Sequence, residues 1–302
     1  MRQDVIRGQF HEHCLTARQH IAIAKIGQDR RRLPTGPLHA LTRRRAPDLR
    51  TMVYGRTLRD AGGGPEAAGL TLMGEFELVI SGRQLRIPHS AERVLTYLAL
   101  AERPVARTRL AGVLWEDGSE QSAAKSLRTA LWRIRHAGAN LVLSRDDRLR
   151  LYPDIAVDVA DLTRVAKRLI HQPDPQAIAR LPLLVECVEL LPDWDDEWVV
   201  ADRERYRLLR LEALERAASA LLERGHPGDA LITALAGVQA EPLRESARRL
   251  VMQVQIAQGN VAEAVHTYRE YRSLLRQELG LEPSPLMDQL IRPLHRPAMT
   301  SS

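Results

Sequence analysis

Ser119 to His136, SEQSAAKSLRTALWRIRH, restricts what this chain can become more than any other stretch. Placed on a helix at about 100° per residue, Ala123, Leu127, Ala130, Leu131 and Ile134 share one face. Gln121, Ser122, Lys125, Arg128, Thr129, Trp132, Arg133 and His136 share the other, with Arg135 at the edge. The apolar face needs a core to lie on. The outer face holds cations and short hydrogen-bonding groups and no carboxylate, whereas a merely solvated helix interleaves both signs to gain i,i+4 pairs. Such a face is built to meet something negative. The alternative is an ordinary surface helix, and the neighbouring segments argue against it.

Upstream, in LTLMGEFELVISGRQLRIP, Leu72, Gly74, Phe76, Leu78 and Ile80 alternate with mostly polar residues, which predicts a strand. Ser81-Gly82 predicts a tight turn into a second strand, Gln84 to Ile87. Ser90 is expected to cap a helix reaching about Leu100, broken by Pro104. A second helix is expected over Arg107 to Trp115, then a loop, Glu116-Asp117-Gly118, then the basic helix. Leu141 to Leu143 and Leu149 to Leu151 flank Arg145-Asp146-Asp147-Arg148, a hairpin pattern. The order is sheet, three helices, hairpin. In a helix-turn-helix the last helix enters the major groove, and a hairpin just after it serves as a wing against the backbone. Arg145 and Arg148 are therefore expected to touch phosphates. Trp132 is expected either on the groove face or packed under the wing.

The tail is helical by pattern. Gly225 recurs as Gly259 and Ala230 as Ala264, both 34 residues on, the tetratricopeptide period. The glycines fall where two helices turn, and the alanines where the second helix closes on the first. Pro242 falls where such a repeat ends, and Tyr268 and Tyr271 are expected to fill the space between helices. Arg203 to Arg224 reads as a long helix with Leu208, Leu211, Leu214 and Leu221 inward. Stacked repeats expose a concave surface. This body is open to two readings, a dimerisation element and a protein-binding surface, and both can hold.

Trp194 and Trp198 are read as core or interdomain packing rather than a ligand box. The acids Asp193, Asp195, Asp196 and Glu197 are read as a helix start favoured by the macrodipole, not as a metal site. No phosphate-binding loop, HExxH or nucleophile elbow is present, so no enzyme, cofactor or metal is expected. Cys187 is placed on an apolar helix face as a buried free thiol, in keeping with a reducing cytoplasm. No run approaches a membrane span.

Residues 1–60 hold 13 basic and 5 acidic side chains, a balance of +8, while 70–152 hold 13 and 9, or +4, and 153–302 hold 18 and 23, or −5. The overall charge is therefore mainly a property of the first segment. The +4 gathered on one helix is the better pointer to DNA. Residues 1–68 are expected to be a basic, mostly disordered segment with a short helix near Cys14 to Ile26. The Arg30–Arg32 and Arg43–Arg45 triplets are expected to add at most nonspecific phosphate affinity. Arg outnumbers Lys 41 to 3, which fits GC-rich coding, and Met52 is an alternative start. Residues 1–60 are expected to be dispensable for specific recognition.

Three stretches carry a resemblance: RLAGVLWEDGSEQSAAKSLRTALWRIR, LLPDWDDEWVVADRERYRLLRLEALE and NVAEAVHTYREYRSLLRQELGLEPSPLMDQL. Leu70 to Pro153 resembles the OmpR/PhoB-type winged helix, and the remainder of the chain resembles a bacterial transcriptional activator domain. Together they resemble the Streptomyces antibiotic regulatory protein (SARP) family and its small relatives. The chain departs from that pattern in having Asp-Asp where the wing often has a Gly-aromatic turn, and Ala106 where a Ser or Asp caps the second helix. The implied fold is mainly α with a small β part: a winged helix-turn-helix over 69–153, then an all-α tetratricopeptide-like domain over 154–302. The implied function is a transcriptional activator that binds double-stranded DNA at promoter repeats. A homodimer on DNA, contact with RNA polymerase through Trp115 to Ser119, and a cytoplasmic, nucleoid-associated location are implied by the same resemblance. Larger relatives carry a nucleotide-binding module, and some regulators a receiver domain; neither is expected before Ser302. The competing class is a repeat scaffold whose winged helix binds protein.

Overall fold

The computed structural model describes residues 68–137 and 140–295, all within one compact unit, Asp48–Ser302. The expectations for residues 1–67, including Cys14, the arginine triplets and Met52, lie outside the described residues. The described chain is mainly helical with a small β part.

Strand β1 (Ala68–Thr71) pairs antiparallel with β2 (Glu77–Ile80), Leu70 opposite Leu78, and β2 with β3 (Arg83–Leu85). The alternation through Leu72 to Ile80 is thus not one strand, as the pattern predicts, but the arms of a hairpin. Gly74, at φ 87°, turns the chain between them. Ser81 and Gly82, at φ 50° and 77°, make the tight turn expected of that pair. A fourth strand, β7 (Ala156–Val157), comes from beyond the wing and lies parallel to β1, giving the order β3-β2-β1-β7.

Helix α1 (His89–Ala101) starts after Pro88, not Ser90. Pro88 holds an extended backbone, φ −62° and ψ 146°, and its carbonyl accepts from Ala91 and Glu92. Ser90 lies inside the first turn and accepts from Arg133 instead. Strand β4 (Val105–Ala106) leads into α2 (Arg107–Leu114), and α3 (Glu120–His136) comes next. The wing, β5 (Val142–Arg145) and β6 (Arg148–Leu151), pairs with β4 in a second sheet of order β4-β6-β5.

The helical part begins with α4 (Asp158–His171) and two short turns, α5 (Pro175–Ile178) and α6 (Pro182–Val185). Helix α7 (Glu197–Glu223) packs on α4 and α8 (Pro227–Ala240); α9 (Glu245–Ala257) packs on α8 and α10 (Val261–Leu279), and α11 (Pro285–Ile291) closes the stack. Gly225 and Gly259 sit at helix-to-helix turns with φ 76° and 77°, and Ala230 and Ala264 are fully buried, as the 34-residue period requires. Tyr271 is buried with its hydroxyl donating to the Leu243 carbonyl, and Tyr268 donates to Asp288 at 2.5 Å.

Several particulars differ from the pattern. Helix α7 starts six residues before Arg203, and Leu208 is 46% exposed while Leu211, Leu214 and Leu221 are buried. Leu208 lies two residues beyond the buried Tyr206, about 200° round the helix from it, and so takes an outer position. Cys187 is buried and free, but in irregular chain after α6 rather than on a helix, its thiol near the Tyr206 hydroxyl at 3.5 Å. Burial pushes that thiol, and the Tyr206 hydroxyl, up from their ordinary values. Asp196 precedes α7, but its carboxylate does not cap the helix; it meets Arg93 of α1 at 2.5 Å.

One hydrophobic core runs from the first sheet through α1, α2 and α3 into α4 and α7. Asp158, 6% exposed at the start of α4, ties the parts together. Its carboxylate accepts from Leu72 N at 3.0 Å, Met73 N at 2.9 Å and Val159 N at 2.7 Å. Residues 189–191 add a further rung: Gly74 N donates to the Glu189 carbonyl and Leu191 N to that of Leu72. Arg203 holds this loop by donating to the carbonyls of Leu190, Leu191 and Trp194. Trp194 stacks on Phe76 and meets His89 edge-on, while Trp198 meets Tyr97. The tryptophan pair therefore packs the first sheet and α1 against the start of α7.

Candidate nucleic-acid interface

Helix α3 forms where its sequence predicts because Ser119 caps it, its hydroxyl accepting from Ser122 N at 3.3 Å. Ala123, Leu127, Ala130 and Ile134 are buried against the core, and Leu131 is half-buried. Gln121, Ser122, Lys125, Arg128, Thr129, Trp132, Arg133 and His136 are all exposed, and so is Arg135. The only carboxylate on the helix, Glu120, is exposed in the first turn, outside the set of eight. Arg133, Arg135 and His136 in the last turn sit where the helix dipole favours cations.

The side chains on this face are not equally free. Arg133 donates to the Ser90 hydroxyl at 3.3 Å, which fastens the end of α3 to the start of α1. Thr129 Oγ1 donates to the Lys125 carbonyl at 3.1 Å. His136 Nδ1 lies 2.9 Å from the Trp132 carbonyl oxygen, and the two rings are tilted by 32° with centroids 4.1 Å apart. Of the two positions open to it, Trp132 takes the outer face, at 59% exposed. The Lys125 ammonium and the Arg128 guanidinium have no ion-pair or hydrogen-bond partner among the described residues.

The wing tip is a two-residue turn with Asp146 at φ 48° and Asp147 at φ 60°. Aspartate tolerates this left-handed conformation better than most side chains, so Asp-Asp does here what Asn-Gly does elsewhere. Arg145 is almost fully exposed, and its nearest carboxylate is its neighbour Asp146 at 3.5 Å. Arg148 is exposed and reaches the Pro104 carbonyl only at 3.5 Å. Both arginines thus stand at the rim of the tip, on the same domain as α3.

Arg107 escapes the sequence reading. Its backbone N–H donates to the Asp147 carbonyl at 3.0 Å, its guanidinium donates to Ser144 Oγ at 3.0 Å, and its Nε lies 3.8 Å from Asp147 Oδ1. It pins the wing to the start of α2, where Ala106 supplies no side-chain cap. A cation in a helix's first position opposes the dipole. That anomaly was the available signal.

The geometry is that of a winged helix-turn-helix presenting one cationic helix and a basic-rimmed wing, followed by stacked tetratricopeptide-like helices. Residues 187–295 match the family model for the bacterial transcriptional activator domain. In sequence and fold the chain is similar to SARP-like regulators, with a winged-helix region ahead of that domain. The regulatory protein AfsR of Streptomyces griseus is 30% identical over 217 residues, which covers 65% of this chain and 21% of AfsR. AfsR of Streptomyces coelicolor is 30% identical over 218 residues, with the same coverage of 65% and 21%. The match thus spans about a fifth of the length of these relatives. Among solved structures, Mycobacterium tuberculosis EmbR in complex with a low affinity phosphopeptide has the same fold, with a TM-score of 0.62 at 21% identity over 75% of this chain and 64% of that one. No helix among the described residues is long and apolar enough to cross a membrane.

Proposed function

We propose that this chain is a transcription regulator of the SARP type, an activator that binds double-stranded DNA sequence-specifically through residues 69–153. The observation that carries this reading is the exposed face of α3, eight residues without a carboxylate among them. Laid in the major groove, Arg128 and Lys125 at its centre meet base edges; an Arg reads guanine O6 and N7 with two hydrogen bonds. Gln121, Ser122, Thr129, Trp132, Arg133 and His136 surround them. Arg145 and Arg148 hold phosphates from the wing, which fixes position and carries little sequence information. Residues 154–302 pair two protomers over promoter repeats, and the loop Trp115 to Ser119 meets RNA polymerase. The protein works in the cytoplasm at the nucleoid, and no reaction is assigned to it.

The test is a mobility shift on a duplex selected by the chain from a random pool. Arg128→Ala is expected to keep the far-UV dichroism of the parent and to lose selectivity over unrelated duplex. Selective binding at parental affinity by that variant refutes the assignment. The competing reading, a protein-interaction scaffold, draws on Ile232 and Leu235 of α8, which are 60% and 41% exposed one turn apart. A parent chain that selects no duplex decides for it.

A further inference from the structure

The groove-facing side of α3 is less polar than its residue types imply. Thr129 is a hydrogen-bonding residue by type, but its hydroxyl proton is committed to the Lys125 carbonyl 3.1 Å away. With the hydroxyl turned back along the helix, the outward substituent on its Cβ is the methyl group. Trp132 lies three residues on, the i,i+3 neighbour on the same face. Its indole is 59% exposed and backed by the His136 imidazole, with ring centroids 4.1 Å apart and planes 32° apart. The imidazole is itself held to the Trp132 carbonyl oxygen at 2.9 Å. A large indole held at the surface by a second ring is an apolar surface awaiting cover, since burying an aromatic side chain is among the larger gains available to any contact.

In the major groove the thymine C5-methyl is the one apolar group on the base edges, and Thr methyl and aromatic side chains are its usual partners. We infer that Thr129 and Trp132 form an apolar strip that reads a thymine methyl beside the base read by Arg128. The inference rests on the DNA binding proposed above. Trp132 is four residues beyond Arg128, which is about 6 Å along a helix. Successive base pairs are about 3.4 Å apart. The thymine therefore lies within about two base pairs of the guanine contacted by Arg128, once in each half-site.

The experiment uses the full chain and the duplex it selects from a random pool. Each thymine is replaced in turn by deoxyuridine, which removes the methyl and leaves the Watson–Crick edge intact. At one position per half-site, within two base pairs of the guanine that Arg128→Ala ceases to distinguish, the replacement is expected to weaken binding about fourfold, the worth of one buried methyl. Trp132→Ala, a change at an exposed position, is expected to bind the thymine and uracil duplexes equally. Two results overturn the inference while leaving DNA binding intact: no thymine is sensitive to loss of its methyl, or Trp132→Ala weakens both duplexes alike and keeps the difference between them. The second would place the indole on a sugar. A chain that selects no sequence from the pool overturns the DNA-binding reading itself, and this inference with it.

Discussion

Replacing Asp158 by Asn removes the one titrating group that joins the first sheet to the start of α4. The carboxyl is 6% exposed. Burial pushes its pKa up from 3.8 to about 6, against the opposing pull of the backbone N–H groups of Met73, Leu72 and Val159. The folded chain therefore keeps this proton at pH values where the unfolded chain has lost it. A raised acid pKa favours the folded state at low pH: the contribution is full below about pH 4 and is lost as pH rises through about 6. At about 1.4 kcal/mol per pKa unit, the gap between 3.8 and about 6 amounts to about 3 kcal/mol. Between about pH 7.5 and about pH 4 some 2 kcal/mol of it is realised. The carboxamide of the Asp158→Asn variant cannot titrate, and the cost of turning an amide N–H toward backbone donors is the same at every pH. Asp174, Glu204 and Glu282, whose carboxyls hydrogen bonds hold below their ordinary values, lose stability in acid in both proteins and cancel. The measurement is urea denaturation by far-UV dichroism at several pH values. The stability of the parent minus that of Asp158→Asn is expected to rise by about 2 kcal/mol as pH falls over that range. A flat difference, or one that falls with acid, would mean that the three N–H donors outweigh burial and that the carboxylate is ionised throughout.

Four further outcomes are expected. Arg145→Ala with Arg148→Ala should weaken binding to all duplexes by similar factors and lower the salt dependence by about one to two phosphates; a changed base preference with an intact salt slope would show that the wing reads sequence. Gly225→Ala and Gly259→Ala should each cost about 1 kcal/mol in denaturation, because an added Cβ meets nothing and only the positive φ opposes it; a cost above about 3 kcal/mol would refute that purely local origin. Leu214→Ala, fully buried, should cost about 2–5 kcal/mol, whereas Leu208→Ala should stay within about 0.5 kcal/mol; equal costs would mean that Leu208 is covered in solution. Arg107→Ala should loosen the wing and raise amide exchange at Asp147 and Ser144 while leaving α3 protected, and unchanged exchange there would show that the wing holds itself.

Local regularity decided a good deal of this protein in advance. The division of α3 is visible in its residues because a helix with one face on a core must repeat apolar side chains at that spacing, and Ser119 marks where it starts. Ser81-Gly82 and the glycines 34 residues apart are visible because a left-handed backbone favours few residue types. Periodicity says that a residue faces inward; it does not say what it meets. Only the folded chain brings Asp158 to Leu72, 86 residues away, and Arg93 to Asp196, 103 away. It alone bends the apparent strand at Gly74 into a hairpin, lays β7 beside β1 and leaves Leu208 outside. The outer face of α3 shows the same boundary at the scale of single atoms. Its residue types are read from the sequence, but which groups remain free to contact a partner is not. Arg133 is drawn to Ser90 on another helix, Thr129 turns its hydroxyl back to Lys125, and Trp132 lies on His136. Those commitments depend on which donors, acceptors and rings come within a few ångströms, and the packing of the helices sets that.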